Sequence, residues 1–124
     1  MSKKILIVDD EVMVREVLKD FFEMESFEVF EASNGKEAFE LIKLHDFSCV
    51  VSDVRMPNGD GIELAKNIKD LNRKNQKIVL ITGYSDISAL FAEEIGAADV
   101  ISKPFNPRDL VKLVIRILAG NVSH

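Results

Sequence analysis

Tryptophan is absent from this chain of 124 residues, and tyrosine and cysteine occur once each. A single thiol, Cys49, excludes an intramolecular disulfide and fits a reducing compartment, so a cytoplasmic location is expected. Long apolar runs are missing too. The first, Ile5–Val8, stops on two aspartates and does not resemble a secretory leader. No window approaches the ~20 apolar residues of a membrane span, so membrane insertion is not expected. Positive charge is in deficit: 16 lysines and arginines face 21 acids, for a net charge of −5. The bases are scattered, which argues against nucleic acid as a direct partner. Linkers and low-complexity tracts are absent as well.

What is present suffices for one core, since 47% of the residues are apolar. A single domain over residues 1–124 is expected, structured from about residue 3 to about residue 118. Five short apolar runs punctuate it: Ile5–Val8, Glu28–Ala32, Cys49–Ser52, Ile78–Ile81 and Val100–Ser102. The first, third and fourth are nearly continuous, as in strands covered on both faces. The second alternates, as an edge strand does. Between the runs lie residues at helical spacing: Val14, Val17, Leu18 and Phe21; Ala38, Leu41 and Ile42; Ile62, Ala65 and Ile68; Leu110, Leu113, Val114 and Ile117. Asn34 with Glu37, and Asp60 with Glu63, have capping-box spacing, and Asn106–Pro107 opens the last helix. Gly96 is placed to stop the fourth helix. Strand alternating with helix predicts an α/β fold, a doubly wound five-stranded parallel sheet with helices on both faces.

Ligands in such folds lie beyond the carboxyl ends of the strands. There the chain puts Asp9 and Asp10 after the first strand, Asp53 after the third, Thr82 after the fourth and Lys103 after the fifth. For the acids to meet, strands one and three must be neighbours, which gives the order 2-1-3-4-5. Three close aspartates repel one another unless a cation joins them, and an all-oxygen set favours Mg²⁺. Lys103 and Thr82 add an ammonium and a hydroxyl, completing a cradle for a phosphoryl group. Asp53, on the more central strand, is the best nucleophile for an acyl phosphate, leaving Asp9 and Asp10 to share the metal. One such acid alone would read as a cap or turn former; the coincidence at four strand ends favours a site.

The fragments ILIVDDE, VVSDVRMPNGDG, LITGYS and ISKPFNPRDL stand in this order along the chain. Together they resemble the receiver domain of two-component response regulators, over essentially the whole length. The order 2-1-3-4-5 is the one familiar from flavodoxin and the chemotaxis member of that family. The resemblance implies that Asp53 is the phosphoacceptor, Asp10 a direct Mg²⁺ ligand, Asp9 a ligand through water and the Arg55 backbone carbonyl a further oxygen. It implies that Thr82 is the switch hydroxyl, Lys103 the ammonium paired with the phosphoryl group, and Lys103–Pro104 a cis peptide. The donor would be a histidine kinase or a histidine phosphotransfer protein, and the output an altered docking surface for an unknown downstream protein. Enzymatic turnover of other substrates is not expected, only self-phosphorylation and autodephosphorylation.

Three positions are distinctive. Val100 stands where many receivers carry an aromatic, which puts the coupling of Thr82 to the surface in doubt. Arg55 and Tyr84 lie two residues beyond Asp53 and Thr82 and are expected to tune phosphoryl lifetime. Met13, Phe22, Phe91 and Phe105 are candidates for docking. Only Ala119–His124 follow the expected last helix, too few for an output domain, so a receiver alone is expected, a monomer or weak phosphorylation-dependent dimer. It could serve as a diffusible regulator, a relay intermediate or a receiver cut from a longer protein. The alternatives are a Mg²⁺-dependent aspartyl-phosphate phosphohydrolase, for which no cap is evident, and a docking module that is never phosphorylated.

Overall fold

The computed structural model describes residues 3–72, 76–83 and 89–120. Its elements run β1 (Lys4–Val8), α1 (Val12–Met24), β2 (Glu28–Ala32), α2 (Gly35–Leu44), β3 (Cys49–Asp53), α3 (Gly61–Leu71), β4 (Lys77–Thr82), α4 (Ala89–Glu94), β5 (Asp99–Ser102) and α5 (Pro107–Leu118). All strand pairs are parallel and the order is β2-β1-β3-β4-β5, as the sequence predicts. No described helix is long and apolar enough to cross a membrane.

Because side chains alternate along a strand, the central strands supply two cores. Leu6, Val8, Val50, Ile78 and Leu80 pack under α2 and α3 with Ala38, Ile42, Leu64, Ala65 and Ile68. Ile5, Ile7, Cys49, Val51, Val79 and Ile81 pack on the other face with Leu18 and Phe22 of α1 and Leu110, Val111, Val114 and Ile117 of α5. Both faces of β1, β3 and β4 are therefore apolar, which is why these strands read as near-continuous runs.

Most predicted signals act as expected. Asn34 and Asp60 accept from the amides of Glu37 and Glu63, both at 2.8 Å, and Asn106 caps α5. Gly96 adopts φ +86°, a left-handed conformation that ends the α4 turn. The phase of α1 differs. Phe22, expected off the core stripe and open to docking, is fully buried and meets Phe27 edge-on at 5.4 Å. Val17, expected in the stripe, is 45% exposed. Leu18 and Phe22 define the buried line, and Val17 stands about 100° around the helix from Leu18. Burying the larger Phe22 ring contributes roughly 2–3 kcal/mol, more than the smaller valine could.

Candidate functional site

Sheet register builds the site. Val8 lies opposite Ser52, so the residues that follow, Asp9 and Asp53, emerge side by side. Thr82, the last residue of β4, lies opposite Ser102, and Lys103 comes next. The Lys103 amide donates to the Thr82 carbonyl at 2.7 Å, which ties that turn to the end of β4. The Lys103–Pro104 peptide is cis.

Carboxylate oxygens of Asp9, Asp10 and Asp53 lie within 4.8 Å of one another. Asp9 and Asp53 are buried, and Asp10 is exposed. Lys103 Nζ donates to Asp53 Oδ2 at 2.8 Å, while the Arg55 amide donates to Asp53 Oδ1 at 3.3 Å. The Glu11 amide donates to Asp9 Oδ1 at 2.9 Å. Thr82 is buried at the same edge, and the Arg55 side chain is exposed.

These surroundings shift two groups. Burial pushes the Asp9 carboxyl up to about 6; the Glu11 amide works against it, Asp53 and Asp10 add to it, and Lys103 opposes it. Burial pulls the Lys103 ammonium down, but the hydrogen bond and charge of Asp53, with Asp9 and Glu11, outweigh it and hold Lys103 above its ordinary value. Asp9 Oδ2 is buried without a hydrogen-bond partner. Three hard carboxylates around such an oxygen fit a divalent cation of the Mg²⁺ type, with Asp9, Asp10 and Asp53 as the side chains able to hold it.

The loop after β3 is held tightly. The Val54 amide donates to the Ile81 carbonyl and the Gly61 amide to the Val54 carbonyl, both at 2.9 Å. A Cβ at Gly61 would overlap the Asp53 carbonyl oxygen, so only glycine lets α3 start this close behind the aspartate.

Val100 lies in β5 opposite Leu80, half-buried and packed against the α2–α3 core. Tyr84 lies outside the described residues. Met13 is 77% exposed, whereas Phe91 and Phe105 are partly buried against the two cores. Periodicity alone does not mark Arg15, yet its Nη1 donates to the Asp9 carbonyl at 2.6 Å and its Nε to Glu31 at 3.2 Å. Its place one helical turn after Glu11, facing back toward the end of β1, is the sign that could have found it.

Comparison with known proteins agrees with this arrangement. The family model described as "Response regulator receiver domain" matches residues 5–115. The transcriptional regulatory protein SrrA of Staphylococcus aureus is 41% identical over 124 residues, covering 99% of this chain and 51% of that protein. The chain thus spans about half the length of the curated relatives it matches. A CheY-like receiver domain protein from Methanospirillum hungatei superposes with a TM-score of 0.90 at 32% identity, covering 98% of this chain and 97% of that one. The response regulator TrrA from Thermotoga maritima, solved in complex with Mg²⁺-BeF, superposes with a TM-score of 0.81 at 36% identity, covering 94% and 98%. The acidic cluster beyond β1 and β3 is a receiver phosphoacceptor site, and the chain belongs to the response regulator receiver domain family.

Proposed function

We propose that this chain is a phosphorylation-operated switch in which Asp53 accepts a phosphoryl group from the phosphohistidine of a sensor kinase or phosphotransfer protein. The observation that carries the reading is the 2.8 Å bond from Lys103 to Asp53, made where carboxylate oxygens of Asp9, Asp10 and Asp53 lie within 4.8 Å of one another. An Asp53 oxygen attacks phosphorus in line; the O–P bond forms, the P–N bond to the imidazole breaks, and the ring nitrogen keeps the electron pair. Lys103 transfers its hydrogen bond from the carboxylate to an oxygen of the incoming group, and the Arg55 amide steadies the other carboxylate oxygen. Asp10, Asp53 and the Arg55 carbonyl would hold Mg²⁺, with Asp9 acting through water, and the bound ion would supply positive charge against the phosphoryl oxygens.

The donor protein docks over the start of α1. Val12 and Met13 are 54% and 77% exposed, and Val14, Phe105 and Pro107 line a groove that reaches Lys103. Thr82 then closes on the phosphoryl oxygens and shifts the balance between two surface packings. Val100, at the usual aromatic position, is short and branched and does not make the large swing of a ring. Water attack on the acyl phosphate restores the carboxylate and releases phosphate, with Arg55 and Tyr84 setting the rate. A cytoplasmic location fits this partnership.

The test is transfer from a ³²P-labelled histidine phosphotransfer protein, with a small phosphomonoester in parallel. Stoichiometric labelling without phosphomonoester turnover supports the switch. Turnover supports a phosphohydrolase, and the absence of both labelling and turnover supports an inert docking module. Unchanged hydrolysis of the labelled protein in both Arg55→Ala and Tyr84→Ala would remove those two residues from the lifetime role.

A further inference from the structure

We propose that Arg15 is a positioning residue for the cation site, and that Glu31 keeps its charge from opposing the cation. The inference rests on reading Asp9, Asp10 and Asp53 as a Mg²⁺ site. Arg15 Nη1 donates to the Asp9 carbonyl at 2.6 Å. That carbonyl belongs to the peptide joining Asp9 to Asp10, so fixing its plane orients both acids at once. The Asp9 amide donates to the Ala32 carbonyl at 3.2 Å, and Asp9 Oδ1 accepts from the Glu11 amide at 2.9 Å. Amide, carbonyl and one carboxylate oxygen are therefore all held. The remaining atom, Oδ2, is buried without a hydrogen-bond partner, and a carboxylate oxygen of Asp9 lies within 4.8 Å of those of Asp10 and Asp53.

A guanidinium bound to the main chain of Asp9 could instead turn to a carboxylate of the cluster and compete with the cation. Its partner prevents this. Arg15 Nε donates to Glu31 Oε1 at 3.2 Å, with the two side chains 15% and 33% exposed. Glu31 comes from the edge strand β2, opposite Ile7, on the side of the strand that faces α1. The planar fork of arginine suits this double duty, one N–H to a main-chain carbonyl and another to a carboxylate; a lysine ammonium has no such fixed geometry. Outer partners that orient metal ligands commonly matter about as much as this arrangement predicts, with losses of roughly 10- to 100-fold in affinity on removal.

The test is calorimetric titration of the metal-free protein with MgCl₂, alongside the thermal midpoint of each metal-free variant. Arg15→Met is expected to weaken Mg²⁺ binding roughly 10-fold or more, and Arg15→Lys is not expected to restore it. Glu31→Gln keeps the carbonyl bond but leaves the guanidinium charge uncompensated. Its weaker binding should recover as salt is added, because the penalty is electrostatic, whereas the loss in Arg15→Met should not. Full recovery in Arg15→Lys would overturn the proposal, since charge alone would then suffice. So would affinity within about twofold of wild type in Arg15→Met, or a Glu31→Gln loss that ignores salt and follows the thermal midpoint. Absence of Mg²⁺ binding in the wild type would instead refute the underlying site reading.

Discussion

Lys103 Nζ donates to Asp53 Oδ2 at 2.8 Å, although the two residues are fifty positions apart in the chain. Their strands are not neighbours: β4 lies between β3 and β5, so the lysine reaches across the end of β4 to the acid. The contact is made by topology, and under the proposed function the ammonium would stand where a transferred phosphoryl group gathers charge. Lys103→Met should slow adduct formation from a small phosphoryl donor by about 100-fold, the usual cost of losing one such donor. Mg²⁺ affinity should rise in the same variant, because a repelling charge is gone. Unchanged labelling kinetics would remove Lys103 from the chemistry.

Asp9 makes the metal-free protein sensitive to pH in an unusual direction. Its carboxyl is pushed from 3.8 to about 6, so the folded state binds the proton more tightly than the unfolded chain. The stability associated with this proton is complete below the unfolded value, falls as pH rises through the interval, and is lost above the folded value. The slope is at most about 1.4 kcal/mol per pH unit. Urea midpoints in EDTA at about pH 4.5 and about pH 7 should show this fall in wild type and a flatter response in Asp9→Asn. Equal slopes would contradict the assignment.

Cys49 should behave as a core residue rather than a reactive thiol. It is fully buried in β3, and burial raises its thiol to about 12. In native buffer, labelling by a thiol reagent should proceed only through unfolding and should accelerate with urea in step with global stability. Rapid labelling of folded protein would show that β3 opens locally.

Two glycines separate crowding from mere loop location. A Cβ at Gly61 meets the Asp53 carbonyl, whereas one at Gly83 meets nothing within 4 Å. Gly61→Ala should cost about 2 kcal/mol or more, and Gly83→Ala should stay within about 0.5 kcal/mol, as read from urea denaturation. Similar values for both would mean that the approach of α3 to Asp53 can relax freely.

The strands, their order and the acidic site were legible because they rest on short-range signals: apolar runs that end on polar residues, and the rule that ligands gather beyond strand ends. The caps at Asn34, Asp60 and Asn106 were legible for the same reason. The phase of α1 was not. Val17 and Phe22 both adjoin the apolar line, and which of them turns inward is decided by packing against Phe27 and α5. Apolar periodicity did not mark Arg15, because its partners are a main-chain carbonyl and a glutamate whose place depends on the register of β2. The role of Gly61 likewise depends on how closely α3 returns to Asp53, a tertiary distance that no local motif encodes.

The most direct test of the account is intact mass after incubation with Mg²⁺ and acetyl phosphate, with Asp53→Asn alongside. The account predicts one phosphate adduct on the wild type, absent from Asp53→Asn and lost when Mg²⁺ is chelated. An adduct of equal yield on Asp53→Asn would contradict it, because the phosphoryl group would then reside elsewhere. No adduct on the wild type, from acetyl phosphate or from any phosphohistidine protein, would contradict it as well.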